Sequence, residues 1–296
     1  MKKLIFFLTL TLVSLSTFAT GQEGDILYMD GVKWELLAKP IYRDSVISRK
    51  LTAALPEGRG IVSTNWAGYT AHWSIQQKQL CLDSITYQVY QDKESRTECL
   101  PADVMLQLFK KYVKGKRIVA TWVNGDLRLA KGKVIYYQHS AYERNDENER
   151  FVSITKGNVS ATNDYQNYVV DGFAFDDHKS RPMFDKDGKN GDVLRKMFPL
   201  HIEQYPELAD VKRIVFYIKN ARVDAQGHLV ECEVKVAKPA DNPRLATEMA
   251  EALKAYHPWR VYYINGEFRA YGIQSYYIPY FINEESKSSH VTDPYE

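Results

Sequence analysis

Alternating carboxylates in the second half of the chain are the first residues whose spacing could bind a cation. They lie in the run Asp185-Lys-Asp-Gly-Lys-Asn-Gly-Asp192, where the glycines would allow a tight wrap around calcium. The run departs from the usual spacing of calcium loops, because Lys189 occupies the fifth position and no bidentate glutamate closes the loop. We therefore interpret it as a solvated loop and predict no metal or other cofactor.

Groups for acid–base or nucleophilic catalysis are also sparse. The triplet Asp176-Asp-His178 offers carboxylates and an imidazole, but no second histidine motif accompanies it. The chain has no Gly-x-Ser-x-Gly elbow, no glycine-rich phosphate loop and no His-Glu-x-x-His pair. We expect a binding protein rather than an enzyme. The alternative is a hydrolase or glycan-acting protein of the cell envelope, with its site in the N-terminal domain.

Three cysteines, at positions 81, 99 and 232, could take part in redox or metal chemistry. No Cys-x-x-Cys pair occurs, so neither a dithiol redox motif nor a zinc ribbon is indicated. In an oxidising compartment Cys81 and Cys99 could form a disulfide within the first domain. The alternative is that all three thiols remain free, with Cys232 packed on the apolar side of a strand.

The start of the chain has the pattern of a secretory signal peptide. Lys2 and Lys3 precede an apolar run from Leu4 to Phe18, and the small residues Ala19-Thr-Gly21 follow. We predict that residues 1–21 are a signal peptide and that the protein is exported to the periplasm or cell envelope, with no stable membrane span after cleavage. An uncleaved membrane anchor is the alternative reading of this segment.

The charge balance excludes one class of partner. Removing Lys2 and Lys3 lowers the Lys plus Arg count from 39 to 37, which equals the count of Asp plus Glu. A formally neutral protein has no general electrostatic attraction for polyanions. We therefore expect no nucleic-acid partner.

Residues 24–172 carry the pattern of a β-rich domain with one short helix. Asp30-Gly31 separates two short strand patterns and predicts a hairpin turn. Tyr69, Ala71 and Trp73 alternate with other residues, which is typical of a half-buried strand. A helix is predicted from Pro101, with Gly115 ending the segment. The Gly-Tyr-x-Ala-x-Trp strand that ends at Trp73 resembles strands of exported bacterial domains to which no activity is attached.

The remainder of the chain predicts a linker at 173–192, a second domain at 193–283 and a polar tail at 284–296. In the second domain, strand patterns cover 213–218 and 229–236. A helix follows, with Asn242 as N-cap and Pro243 as its first residue. The last strand pattern covers 276–282. The predicted fold class is therefore α+β, with the second domain as a small antiparallel sheet with two helices.

The second domain resembles the C-terminal domain of TonB-type energy transducers. The resemblance rests on five motifs in order: Leu194-Arg-Lys-Met-Phe198, Tyr205-Pro206, Pro258-Trp259, Asn265-Gly266 and Ile278-Pro-x-Phe281. It implies a small periplasmic binding module. Such transducers also carry an N-terminal membrane helix and a long proline-rich spacer, whereas this chain has a short linker and 11 prolines in all. We therefore expect a protein-interaction module that is not itself an energy transducer.

The resemblance also implies where a partner would bind. In that family the corresponding edge receives an extended receptor segment by strand addition. Pro279 cannot donate a ladder hydrogen bond, so we expect the last strand at or near a sheet edge. The predicted partner is an envelope protein. The predicted partner-binding residues are Tyr276, Tyr277, Ile278, Tyr280 and Ile282. Alternatively, the tyrosines are ordinary half-buried sheet residues, and Pro279 protects the edge from aggregation.

Overall fold

The computed structural model describes residues 21–91, 94–138, 140–173, 192–270 and 275–282. The polar tail, almost all of the predicted linker, and residues 1–20 of the predicted signal peptide lie outside these ranges. Contacts divide the chain into two compact units, residues 1–167 and residues 168–296. Among the described residues, no helix is both long enough and apolar enough to cross a membrane.

In its described residues, unit 1 is built on a ten-stranded sheet with two α-helices packed on its core. Its strands are β1 (Asp25–Met29), β2 (Val32–Leu36), β3 (Thr70–Gln76), β4 (Gln79–Gln91), β5 (Glu94–Cys99), β6 (Val113–Lys114), β7 (Arg117–Val119), β8 (Gly125–Tyr137), β9 (Arg144–Thr155) and β10 (Asn158–Gln166). Its helices are α1 (Ser45–Ala54) and α2 (Ala102–Leu108). Asp30 and Gly31 both adopt positive φ in the turn that joins β1 to β2, so the predicted hairpin is confirmed.

Seven of these strands close into a ring. The strand order is β10-β9-β8-β2-β1-β3-β4, and β4 pairs back with β10 at Gln79 and Asn158. The amide of Leu80 donates to the carbonyl of Gly157 at 2.8 Å, and the amide of Val159 donates to the carbonyl of Lys78 at 2.8 Å. Gly157 has a φ of +79°, and a Cβ there would lie 2.9 Å from the Ala120 backbone. The ring therefore closes where only glycine fits.

The core of unit 1 is dominated by aromatic and aliphatic side chains from both the ring and the helices. Trp122 contacts Trp73, Phe109 and Tyr112, with ring centroids between 4.5 and 6.2 Å apart. The largest fully buried side chains of this core are Trp73, Phe109, Leu27, Leu36, Ile41, Leu51, Leu80, Ile85 and Leu127. Apolar residues on alternate strand positions supply the inward side of the ring.

Asp44 caps α1 and ties this helix to the segment after α2. Its Oδ1 accepts from the amides of Val46 and Ile47 at 3.0 and 3.1 Å, and its Oδ2 accepts from the Tyr112 hydroxyl at 2.7 Å. Burial acts to raise the pKa of Asp44, but the Tyr112 hydroxyl and the two amides outweigh it and hold that pKa below its usual range. The charged carboxylate is therefore the form that the fold stabilises.

We expect Asp44→Asn to destabilise unit 1 by about 1 kcal/mol at neutral pH, because asparagine keeps a capping acceptor but loses the charge-assisted bond to Tyr112. A depressed folded-state pKa gives stability that is present above the unfolded pKa of about 4 and is lost as the pH falls through the folded pKa. The difference in unfolding free energy between the wild type and Asp44→Asn, measured by urea unfolding, should therefore become smaller below about pH 4. Asp103→Asn on α2 is the control, and a difference that stays constant down to pH 3 would contradict this role.

Over its described ranges, unit 2 holds the remaining strands in two three-stranded sheets, of order β11-β14-β15 and β13-β12-β16. Its elements are β11 (Tyr168–Val170), α3 (Asp192–Met197), β12 (Arg213–Val223), β13 (Leu229–Lys238), α4 (Pro243–Ala255), β14 (Val261–Ile264), β15 (Glu267–Arg269) and β16 (Ser275–Phe281). Helix α4 begins as predicted, since the Asn242 side chain accepts from the Leu245 amide at 3.0 Å and Pro243 is the first helical residue.

The core of unit 2 forms where α4 packs on one face of the β13-β12-β16 sheet. Leu245, Met249 and Leu253 recur at helical spacing and are fully buried. They meet the inward residues of β12, among them Phe216. Trp259 completes this core, with its indole N–H donating to the Leu253 carbonyl at 2.9 Å.

The predicted α+β class with a single small C-terminal sheet is wrong. Where the structure describes it, the chain is mostly β, with large sheets. The described part of unit 1 has two α-helices, whereas the sequence predicts one short helix and no helix at α1. The described strands of unit 2 fall into two sheets, and β11, which the sequence places in the first domain, pairs with β14. Alternation along a strand identifies the strand but carries no information about its partner.

Candidate functional site

The last strand lies at the edge of its sheet, as Pro279 predicts. Among the described residues, β16 pairs only with β12, in an antiparallel register that sets Tyr277 opposite Tyr217 and Pro279 opposite Val215. Side chains alternate along β16, so one set faces the core and the other faces away from it. Tyr277 is 65% exposed, whereas Ile278, Tyr280 and Ile282 are buried.

Tyr280 is an anchor of the core rather than an accessible contact. Its hydroxyl donates to the Phe198 carbonyl at 3.1 Å and accepts from the Leu200 amide at 3.4 Å. Burial raises the pKa of this phenol. Its ring meets that of Phe198 edge-on, at a centroid distance of 5.8 Å. In this conformation a partner cannot reach the side chains of Tyr280, Ile278 or Ile282. Tyr276 is half-buried.

The backbone of β16 turns alternate peptide groups toward the open edge. The amide of Ile282 donates to the carbonyl of Lys212 at 3.0 Å, so the even-numbered residues direct their backbone groups to β12. The N–H and C=O of Tyr277 therefore point away from β12, as does the C=O of Pro279. Proline suits this position, because it has no N–H to lose from the β12 ladder.

The sheet face that carries Tyr277 combines aromatic surface with positive charge. Register places Tyr277, Tyr217 and Lys235 in one row across the three strands, and Pro279, Val215 and Lys238 in the next row. The rings of Tyr277 and Tyr217 lie 4.9 Å apart between centroids. Lys235 and Lys238 are exposed. We call these six residues the Tyr277 face.

The two candidate disulfide cysteines are far apart. Cys81 and Cys99 are both free thiols, the first buried and the second exposed. Cys99 lies opposite Thr86 on β4, five residues along the same strand from Cys81. Five strand residues span about 16 Å. A disulfide needs Cα atoms within about 7 Å, so this fold does not form the predicted bridge.

The runs Asp176-Asp-His178 and Asp185 to Asp192, which we do not interpret as acid–base or metal sites, fall almost wholly outside the described ranges, which resume at Asp192. Within the described ranges, no group of three or more His, Cys, Asp or Glu residues could hold a metal ion. Asp224 and His228 do interact, with Oδ2 and Nδ1 at 3.0 Å, and the His228 ring stacks on His257 at 4.3 Å. The Nε2–H of His257 donates to the Gln226 carbonyl, so this group fastens the β12–β13 turn.

A buried ion pair in unit 1 was not predicted from the sequence. Lys39 Nζ lies 2.9 Å from Asp25 Oδ1 and also donates to the Tyr69 carbonyl at 2.9 Å. Asp25 further accepts from the Ala71 amide at 3.0 Å and from the Trp73 indole at 2.9 Å. Burial acts to raise the pKa of Asp25, and the charge of Lys39 opposes it. Each carboxylate oxygen is satisfied internally, so this pair holds β1 and β3 together.

The described surface therefore offers a binding edge more readily than a catalytic centre. Its components are the outward backbone groups of β16, the exposed Tyr277 ring and the flanking lysines. Comparison with protein-family models, curated proteins and solved structures finds no match to this chain.

Proposed function

We propose that this protein is an exported interaction module of the periplasm or cell envelope, and that unit 2 binds an extended segment of a protein partner along β16. The observation that carries the proposal is the combination at Tyr277 of outward backbone groups and a ring that is 65% exposed. Strand addition takes its affinity from main-chain hydrogen bonds and its specificity from alternate side chains. It requires no catalytic side chain.

Two features of the sequence support the cellular setting of this proposal. The basic start, the apolar run from Leu4 to Phe18 and the small residues after it are typical of a secretory signal peptide. The motifs from Leu194 to Phe281 resemble those of TonB-type C-terminal domains, in which strand addition is the binding mode. Export and strand addition are consistent with one another, because envelope proteins present extended segments to such modules.

The charge on the Tyr277 face favours one kind of segment. Lys235 and Lys238 are exposed beside the tyrosine pair, and Arg213 lies exposed opposite Phe281. Complementary charge speeds encounter and sets the register of a bound segment. We therefore propose an extended partner segment that carries acidic residues and at least one aromatic or aliphatic side chain for the Tyr277–Tyr217 pair.

Photo-crosslinking in cells tests the position of the partner. With a benzophenone amino acid at position 277, we expect a discrete crosslinked protein that is absent when the same group is placed at Tyr168. Tyr168 is the matched control, because it is an exposed tyrosine on a strand of the other sheet in unit 2. A crosslinked product of equal yield from both positions would contradict specific binding at this edge.

Pro279→Ala separates edge pairing from contacts made only by side chains. Alanine adds an N–H that points toward the open edge without removing a β12 bond, so a bound strand gains one hydrogen bond of about 1 kcal/mol. We expect the crosslinking yield from position 277 to rise about fivefold at subsaturating partner. Pro243→Ala, at the first position of α4, is the control. An unchanged yield in Pro279→Ala would exclude strand addition at β16.

A further inference from the structure

A cavity of about 300 Å³ opens on unit 1 beside the C-terminal half of β4. Its walls come from the loop that precedes β3 and from the β3–β4 pair, where Thr70 lies opposite Thr86. The loop is fixed to β4 by the Gly60 amide, which donates to the Gln88 carbonyl at 2.7 Å. This volume is at the lower end of small-molecule pockets. The cavity suits a ligand of one ring better than a polypeptide.

An exposed aromatic ring forms one wall of this cavity. Tyr90 lines the cavity and is 55% exposed. Its ring lies directly on Gly60, since a Cβ at that position would be 2.1 Å from a ring carbon of Tyr90. The glycine therefore sets where the ring can lie against the loop. A flat ring at a cavity mouth offers its face to the C–H groups of a ligand.

The rest of the lining is rich in short, uncharged hydrogen-bonding groups. Thr70, Thr86, Gln88 and Asn65 contribute hydroxyl and amide groups. The Thr86 hydroxyl also donates to the Thr70 carbonyl at 3.3 Å, and the Gln88 amide donates to the Thr97 hydroxyl at 2.8 Å. One lining residue holds a buried polar atom that has no hydrogen-bond partner among the described residues, namely Asn65 Oδ1. Buried polar atoms are ordinarily paired, so an unpaired amide oxygen on a lining residue favours a polar occupant.

The charge of the lining restricts that occupant further. Glu23 is the charged residue among the described side chains that line the cavity. A carboxylate repels phosphate and carboxylate ligands, so the site disfavours nucleotides and acidic sugars. Neutral ligands with several hydroxyl groups and an apolar ring face fit the aromatic wall and the hydroxyl and amide lining together.

From this chemistry we propose that the cavity binds a neutral sugar ring, with Tyr90 against one face of the ring and Asn65, Thr86 and Gln88 toward its hydroxyls. The site belongs to unit 1, so it is independent of strand addition at β16. It gives the protein a second binding activity, directed at glycans instead of proteins. No bond is made or broken in the sugar.

Saturation-transfer NMR on the full chain tests this site. The probes are glucose, galactose, N-acetylglucosamine, maltose and cellobiose at about 10 mM, a concentration at which millimolar binders are observed. Glucose 6-phosphate and the peptide Gly-Tyr-Gly are the comparison ligands. We expect saturable transfer to the ring protons of at least one neutral sugar, weaker transfer to glucose 6-phosphate, and none to the peptide.

Four substitutions test where the sugar binds. Tyr90→Ala should weaken sugar binding about fivefold or more, because it removes the aromatic wall. Gly60→Ala should weaken it as well, because the new Cβ displaces the Tyr90 ring. Tyr28→Ala is the matched control, since Tyr28 is 43% exposed in the same unit and does not line the cavity. Glu23→Gln should reduce the difference in binding between glucose and glucose 6-phosphate, because it removes the carboxylate that repels the phosphate.

Each possible outcome either supports or overturns the sugar site. Sugar binding that is lost in Tyr90→Ala and Gly60→Ala, and kept in Tyr28→Ala, supports the site. Absence of transfer to all five neutral sugars overturns it, as does equal binding by wild type and Tyr90→Ala when circular dichroism shows both proteins folded. Transfer to the peptide alone would identify a peptide site and overturn the sugar assignment.

Discussion

Lys39→Met will destabilise unit 1 by about 3–5 kcal/mol, the cost typical of removing one partner from a buried ion pair. Asp25 is fully buried, and it would keep its bonds to the Ala71 amide and the Trp73 indole but lose its cation. Urea unfolding followed by fluorescence of the unit 1 tryptophans measures the loss. Lys33→Met on the exposed side of β2 is the control, with an expected effect within about 0.5 kcal/mol.

The pH dependence of Lys39→Met gives this prediction a second test. Burial raises the pKa of Asp25, and loss of the Lys39 charge removes an opposing effect. The folded variant then binds a proton that the unfolded chain releases above about pH 4, so its stability falls as the pH rises. We therefore expect Lys39→Met to lose less unfolding free energy, relative to the wild type, at pH 5 than at pH 8.

The double variant Asp25→Leu/Lys39→Met should be more stable than Lys39→Met alone, because neither charge is then buried. If Lys39→Met lost less than about 1 kcal/mol of unfolding free energy, water or another group would have to solvate Asp25. If the double variant were less stable than Lys39→Met, the packing and hydrogen bonds lost with Asp25 would cost more free energy than burying its unpaired charge.

Trp259→Ala will destabilise unit 2 by about 3–5 kcal/mol, the range for deleting a large aromatic side chain from a core. The side chain is 1% exposed and packs against Phe173 and Tyr256, with ring centroids 6.5 and 6.0 Å away. The substitution also leaves the Leu253 carbonyl without its indole donor. Urea unfolding followed by circular dichroism measures the effect.

Trp66→Ala is the matched control for Trp259→Ala, since Trp66 is 63% exposed and the chemical change is the same. Its expected effect on stability is within about 0.5 kcal/mol. Trp259→Phe should lie between the two, because it keeps an aromatic ring and loses the indole hydrogen bond. Equal stability of Trp259→Ala and Trp66→Ala would contradict the packing seen in unit 2.

Local chemistry identified several elements correctly. Asp30-Gly31 predicts a two-residue hairpin because both positions need positive φ, and the β1–β2 turn has that geometry. Asn242 and Pro243 predict a helix start through capping, and α4 begins there. These signals depend on residues that are adjacent in sequence, so they can be read without knowing the fold.

The sequence does not predict which residues from separate segments pair with one another. The parallel β1–β3 pair, the β4–β10 closure and the Lys39–Asp25 contact each join segments separated by many residues. An isolated lysine before Pro40 has no feature that predicts burial. The cavity beside Tyr90 likewise exists only after the loop folds back onto β4.

The predicted binding strand shows the limit of sequence patterns within a single element. The run from Tyr276 to Ile282 is apolar at almost every position, so alternation does not reveal which side chains face the core. The structure assigns Tyr280 to the core and Tyr277 to the surface. A polar residue at every second position would have made that assignment possible.

The closed ring of unit 1 also has a kinetic consequence. Gln79 and Asn158, which meet where the ring closes, are 79 residues apart, and the β1–β3 contact between Asp25 and Trp73 spans 48. Folding rates fall as the mean sequence separation of contacts rises, because a long chain segment must be immobilised before those contacts form. During synthesis β1 to β4 can pair early, but the ring stays open until β8, β9 and β10 have emerged.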